Sequence, residues 1–349
     1  MINTASQLSE LLPHLQAIDR VAVDTEADSL HCYFEKLCLL QLSFGGQDFL
    51  IDPLADLDLS PLSAALAEKE IVLQGADFDL RLMGRSINFA ARRIFDTVIA
   101  ARLLGIRAFS LAALVERFFG VTLTKGSQKA NWAQRPLPPR MAEYAINDTH
   151  YLLPLATKLE AQLVERGRLK WFQESCERAL KQAAVQRVRD EDEAWRIAGS
   201  GTLRGRTAAV LRSLWEWRDR EARAADRPPF HILQNQQLIA AAIDFDSNQV
   251  PDYRHFSPRR RRGFLDAAEA AMRMPENEWP AARPRTGSRP TPAMDRRSAG
   301  LRQTRDRLAR ELDLEPSFIA PRSTLESIAA DEARSVELLV PWQRTLLEI

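Results

Sequence analysis

Residues 21–44, VAVDTEADSLHCYFEKLCLLQLSF, hold two short β-rich runs separated by a polar stretch. The first, Val21-Ala22-Val23, ends in Asp24 and Glu26; the second extends from Leu37 to Phe44. A third run, Phe49-Leu50-Ile51, follows after Gly45-Gly46, the turn a hairpin needs. Side chains alternate along a strand, so Asp24 and Glu26, two residues apart, point to one face of the sheet. Further along the chain, residues 57–70 carry helical patterning and Ile71-Val72-Leu73 is another short strand before a helix near Asp77. Ile94-Phe95 is a further strand candidate before a helix from about Thr97. The pattern then stays helical to about Gln186, interrupted at Arg135-Pro136-Leu137-Pro138-Pro139. A hairpin followed by alternating helices and strands predicts an α/β domain with a mixed sheet flanked by helices.

The second half is expected to be an all-α bundle. Residues 206–224 place Ala209, Leu211, Leu214, Trp215 and Trp217 among charges. Trp215 and Trp217, two apart, cannot share a helix face, so one is expected in the core and the other at a domain contact. After Pro228-Pro229, residues 232–243 form a second helix, and Ser257-Pro258-Arg259 reads as a cap and first helical residue. Residues 280–294, rich in Pro, Arg, Ser, Thr and Gly, read as linker, and helices return at 299–312, 323–329 and 336–347. The predicted organisation is therefore 1–195, 196–279, a linker at 280–298, and a short helical region at 299–349.

Composition sets the class. With 45% hydrophobic and 27% charged residues, the 349-residue chain is ordinary for a soluble protein of two or three domains. No apolar run is long enough to span a bilayer, and the first twenty residues lack the basic-then-apolar order of a secretory signal. Three scattered cysteines, Cys32, Cys38 and Cys176, argue against a disulfide framework and fit free thiols in a reducing cytoplasm. The net charge of +1 hides an asymmetry: residues 251–310 hold fifteen Arg, no Lys and seven acids, a balance of +8 that leaves −7 elsewhere. A basic region beside an acidic one suits a polyanion grip next to a cation-binding carboxylate site, or else a solvated face with an Arg-rich linker.

Four acids stand where such a site would want them. Asp24 and Glu26 close a strand, Asp79 lies in the first turn of a helix after a strand, and Tyr144 and Asp148 stack four apart on a helix. Hard divalent cations prefer oxygen ligands, and two of them about 3.5–4 Å apart stabilise both the attacking and leaving oxygens in phosphodiester cleavage. Singly, an Asp-x-Glu at a strand end is a common surface turn and a Tyr-x-x-x-Asp a common amphipathic spacing; order and context together carry the reading.

Residues 21–44 resemble the first motif of the ribonuclease D-type 3′-5′ exonucleases, in the superfamily named for its Asp-Glu-Asp-Asp quartet. GADFDLRLM at 75–83 resembles the second motif and FDTVIAARLLG at 95–105 a structural stretch of that family. SLAALVERFFGVTLTKGSQKANWAQRPL at 110–137 with EYAINDTHYLLPL at 143–155 resembles the third motif of the Tyr subgroup. The resemblance covers about residues 15–160. It implies a ribonuclease H-like sheet and two divalent metal ions, Mg²⁺ or Mn²⁺, held by Asp24, Glu26, Asp79 and Asp148. It further implies Tyr144 orienting the hydrolytic water, with Glu26, and release of nucleoside 5′-monophosphates. Two positions depart from the pattern: Asn131 stands where an acid usually precedes the Trp, and Gln74 where a His is common. Asp77 rivals Asp79, but the run Asp79-Leu80-Arg81 matches the motif and leaves Asp77 as a helix cap. Lys125, Lys129 and Arg135, in the loop before the third motif, are candidate phosphate contacts or solvated loop cations. His150 reads as a helix-surface residue.

Residues 202–274 resemble the helical HRDC domain shared by ribonuclease D and RecQ-type helicases, on AVLRSLWEWRDREARAADRPPFHILQNQQLIAAA at 209–242. LRQTRDRLARELDLEPSFIAPRSTLESIA at 301–329, with LLVPWQRTLL at 338–347, is similar to a second, shortened copy. Arg259, Arg260, Arg261 and Arg262 are candidate phosphate contacts, near Tyr253, His255 and Phe256, with Phe256 expected in the core. The implied function is a 3′-5′ exoribonuclease on structured RNA ends such as tRNA precursors, with no obligate protein partner evident. A DNA exonuclease and an inactive nucleic-acid-binding module are the alternatives; a quartet of mutually repelling carboxylates speaks against the latter.

Overall fold

The computed structural model describes residues 1–124, 126–185, 190–253, 256–282 and 291–349; Lys125 and His255 lie outside the described residues. The chain forms two units, one of Met1–Ala27, Leu37–Gln186 and Ser288–Ile349, the other of Asp28–Lys36 and Arg187–Gly287.

In the first unit, α1 (Ala5–Gln16) is capped by the Thr4 side chain and buries Leu8, Leu11 and Leu15 at helical spacing. Strands β1 (Arg20–Ala27), β2 (Leu37–Phe44), β3 (Gln47–Ile51), β4 (Glu70–Leu73) and β5 (Arg93–Asp96) form one sheet in the order β3-β2-β1-β4-β5. The first three are antiparallel, and β4 and β5 run parallel to β1, giving the mixed sheet of the ribonuclease H-like type. β2 is buried along its whole length, as an inner strand covered on both faces must be. Helices α2 (Ser60–Ala67), α3 (Asp77–Ile87), α4 (Thr97–Leu103) and α5 (Leu111–Phe119) link and flank the strands. α6 (Pro139–His150), α7 (Leu152–Glu165) and α8 (Leu169–Ala184) complete the cover. The apolar stripe of α7, Leu152, Leu155, Ala156, Leu159 and Leu163, is fully buried in the same core as Val21, Ile71 and Val72.

Asp77 does not cap α3, which has no side-chain cap; the Asp96 carboxylate holds the turn before it instead. It accepts from the N–H groups of Gly75 (3.2 Å) and Ala76 (2.9 Å) before α3, and from Val98 and Ile99 at the start of α4. Asp77 sits inside the first turn, where its side chain instead takes the Arg81 guanidinium at 2.9 Å.

The other unit is built on α9 (Gly205–Ala224), α10 (Pro229–Ile232), α11 (Asn235–Asp246) and α12 (Pro258–Met272). Trp217 is buried against Phe256 and Phe264, while Trp215 is half-buried. Ser257 caps α12 through Arg260 N–H, with Pro258 at its first position, as the sequence predicts.

The last helices are α13 (Pro292–Glu311), α14 (Pro316–Ile319), α15 (Arg322–Ala330), α16 (Ser335–Leu338) and α17 (Pro341–Leu347). α13 starts seven residues before the expected 299, because Thr291 caps it and Pro292 opens it, a start signal masked by a linker-like composition. This region does not stand apart. Leu314, Ile319, Leu325 and Trp342 join the core of the sheet-bearing unit, Trp342 stacks on Trp171 at 4.9 Å, and buried Arg168 donates to the carbonyls of Leu103 and Leu312. Among the described residues no helix is long and apolar enough to cross a membrane.

Candidate active site

The carboxylates of Asp24, Glu26 and Asp148 each offer an oxygen within 4.8 Å of the others. Three facts of local structure bring them together. Alternation along β1 sets Asp24 and Glu26 on one face; α6 packs across β1, β2 and β3; and the helical register of α6 delivers Asp148. The spacing of Tyr144 and Asp148 is used directly, since the Tyr144 hydroxyl is hydrogen-bonded to Asp148 and also to Gln128. The Trp132 ring lies 6.0 Å from that of Tyr144 and is buried beneath it in a small cluster with Leu39, Leu50, Met141 and Ala145.

Asp79 stands beside this trio without joining it. It is buried, and its carboxylate accepts the hydroxyl of Thr25, whose side chain alternates with those of Asp24 and Glu26. The field of Asp79 is still felt by Asp24, Glu26 and Asp148. Of the predicted quartet, three side chains converge and the fourth is held one bond away.

Electrostatics make the cluster costly to ionise. Burial, then the charges of Asp79, Asp148 and Glu26, push Asp24 well above the ordinary carboxylate range. Glu26 is raised to about 9 by burial and by Asp148 and Asp79. Burial lifts Asp148 to about 7 against the hydrogen bond from Tyr144, and lifts Asp79 to about 6 against the bond from Thr25. Tyr144 is raised by burial and by Asp148 and Glu26, so it stays a neutral hydroxyl. Burial plus like charge is the environment that a bound divalent cation relieves. The donor set, all carboxylate oxygen, suits a hard cation.

The remaining sequence candidates separate by what holds them. Arg135 is an internal strut: its guanidinium makes a two-point contact with buried Asp52, at 2.7 and 2.6 Å, and donates to the carbonyls of Cys38, Trp132 and Gln134. A phosphate would have to compete with these bonds for the guanidinium. Lys129 is exposed in the loop before α6. Arg259, Arg261 and Arg262 are exposed on α12, whereas Arg260 is half-buried and paired with Glu221 at 3.3 Å. His150 is exposed and bonded through Nδ1 to Asp48 at 2.8 Å.

The departures are absorbed locally. Gln74 donates to Phe109 O at 2.8 Å and accepts from Thr97, tying the end of β4 to the next loop. Asn131 accepts from Ala133 N–H.

Sequence reading missed Gln41. It pairs with Asp24 across β1 and β2, is fully buried, and neither amide atom has a hydrogen-bond partner. A glutamine in the middle of the apolar run LCLLQLSF was the available signal.

A sequence model of the 3′-5′ exonuclease family matches residues 1–164, and one of the HRDC domain matches 207–244 and 295–340. Ribonuclease D of Xanthomonas oryzae pv. oryzae is 33% identical, over 97% of this chain and 94% of that protein. A crystal structure of a protein from Bifidobacterium adolescentis superposes with a TM-score of 0.83 at 26% identity, covering 99% of this chain and 94% of that one. Ribonuclease D of Escherichia coli, described as an exoribonuclease involved in structured RNA processing, gives a TM-score of 0.74 at 26% identity, over 100% and 98% of the two chains.

Proposed function

The chain belongs to the ribonuclease D family of metal-dependent 3′-5′ exoribonucleases, and we propose that it trims the 3′ ends of structured RNA such as tRNA precursors, releasing nucleoside 5′-monophosphates. The observation that carries this reading is the convergence of Asp24, Glu26 and Asp148 in a buried, mutually repelling cluster. In this proposal Asp24, Glu26, Asp79 and Asp148 hold two divalent cations, Mg²⁺ or Mn²⁺. When bound, the cations supply positive charge to the attacking and leaving oxygens of an in-line displacement at phosphorus. Water oxygen bonds to the terminal phosphorus while the bond from phosphorus to the penultimate 3′ oxygen breaks, so each cycle leaves a new 3′ hydroxyl.

The side chains divide the remaining work. Asp79, anchored through one oxygen by Thr25, has its second oxygen left to serve as a ligand. Tyr144, kept protonated by burial and neighbouring acids, orients the water by hydrogen bonding and cannot serve as its base. Glu26 faces the same space and completes that orientation. Arg259, Arg261 and Arg262, with Lys129, provide phosphate contacts that hold the RNA in place.

The test is cleavage of one RNA labelled at either end, in Mg²⁺ and in EDTA. Label at the 3′ end should leave at once as a mononucleotide, and 5′-labelled RNA should shorten stepwise, with neither reaction in EDTA. Internal fragments, or first release from the 5′ end, would overturn the proposal.

A further inference from the structure

We infer that Gln41 is a positioning residue for Asp24, its side-chain amide holding that carboxylate in the orientation in which it takes a divalent cation. The inference rests on the metal-centre reading above. Gln41 lies in the middle of β2, directly opposite Asp24 in the antiparallel pair with β1. Directly opposed residues share a face, and their Cβ atoms lie about 4.5–5.5 Å apart. A glutamine amide therefore reaches an aspartate carboxylate across the pair by a side-chain rotation alone.

The neighbours on that face leave few other partners. Leu39 opposes Glu26, and Leu50 of β3 opposes Gln41; both are apolar. Ser43, two residues along, is committed to Asp48 at 2.6 Å and Thr149 at 2.7 Å. Overhead, α6 places buried Ala145 beside Tyr144 and Asp148. The amide is fully shielded from solvent, yet its nitrogen and its oxygen are both without a hydrogen bond. Buried polar groups are rarely left so, and an exception points to a partner outside the chain's own packing. On this inference the amide N–H turns to Asp24, its directly opposed neighbour, when the cation is bound, and the amide oxygen is left for a water of the cation's shell.

Cation affinity separates this role from a packing role. If Gln41 only filled space, an apolar residue of the same length would be tolerated and cation binding would not change. As a positioning residue, its loss leaves the cation-free protein as stable or more so, because an unbonded buried amide has been removed, while cation affinity falls.

The experiment uses the full chain, stripped with EDTA and dialysed, with Mn²⁺ as the probe, read by the resonance of free Mn²⁺. Gln41→Met keeps length and apolar volume, and Gln41→Leu repeats the test with a different shape. Each should melt in EDTA at or above the wild-type temperature and bind Mn²⁺ about 10- to 100-fold more weakly. Combined with Asp24→Asn, either should add little to the loss caused by Asp24→Asn alone. Wild-type Mn²⁺ affinity in both variants, or a lowered melting temperature in EDTA in both, would overturn the inference. If Asp24→Asn itself binds Mn²⁺ like wild type, it is the metal-centre reading that fails.

Discussion

Loading the site with divalent cation should release protons, and the number follows from the carboxylates. With Glu26 at about 9, Asp148 at about 7 and Asp79 at about 6, roughly 1.6 protons reside on these three at pH 7. Asp24, raised well above its ordinary range by burial and by its neighbouring acids, adds to that number. Because the ligands must be ionised, the logarithm of affinity climbs with pH by the number of protons displaced, so affinity should rise roughly fortyfold or more per unit near pH 7. By pH 9 the three carboxylates retain only about 0.5 proton and the rise should flatten. Stability without cation has the matching sign. Folded-state values above the unfolded ones stabilise fully below about pH 4, and that contribution is lost as pH rises through about 6, 7 and 9. The melting temperature in EDTA should therefore fall between pH 5 and pH 9, and the increase on adding Mn²⁺ should grow. The assay is calorimetric titration of Mn²⁺ into stripped protein at pH 7, in buffers of different ionisation enthalpy. Zero net proton release would show that the carboxylates are already ionised and would refute the reasoning.

Arg135→Ala should destabilise the fold by about 3 kcal/mol in urea denaturation, because it leaves buried Asp52 without its ion pair; unchanged stability with weakened RNA binding would support the phosphate-contact reading. Tyr144→Phe should lower the single-turnover rate about 100-fold with RNA affinity unchanged, since the ring still packs near Trp132; an unchanged rate would remove the hydroxyl from the chemistry. Replacing Arg259, Arg261 and Arg262 by Ala should reduce the salt slope of single-stranded RNA binding by about 2, measured in Ca²⁺, and an unchanged slope would rule out α12 as a grip.

The sheet was legible in local periodicity, whereas the meeting of Asp24, Glu26 and Asp148 was implied by the motif resemblance, spacing alone giving only the direction of each pair. The alternation of β1 and the four-residue step of α6 fix side-chain direction without knowledge of the rest of the fold. What sequence could not show depends on partners distant in the chain. Arg135 reads as a free loop cation until Asp52, 83 residues away, is seen to hold it. Asp96 caps α4 and also holds the turn before α3 because β4 and β5 lie side by side, an arrangement that spacing does not reveal. Asp79 is held by the hydroxyl of Thr25, 54 residues away. Gln41 gains its meaning only from its register with Asp24. The region after 299 resembles a helical module of its own, yet its apolar face is spent on Trp171 and the core of the sheet-bearing unit.

The central claim is that Asp24, Glu26 and Asp148 hold the cations that drive removal of nucleotides from a 3′ end. It is tested most directly by single-turnover shortening of a 5′-labelled RNA in saturating Mn²⁺ by Asp24→Asn, Glu26→Gln and Asp148→Asn. Each substitution keeps shape and removes one group's capacity to ionise. Each rate should fall by at least about 100-fold, the scale of losing one transition-state contact, while the melting temperature in EDTA is held or raised, since a buried group that is costly to ionise has gone. Wild-type shortening by any of the three would contradict it.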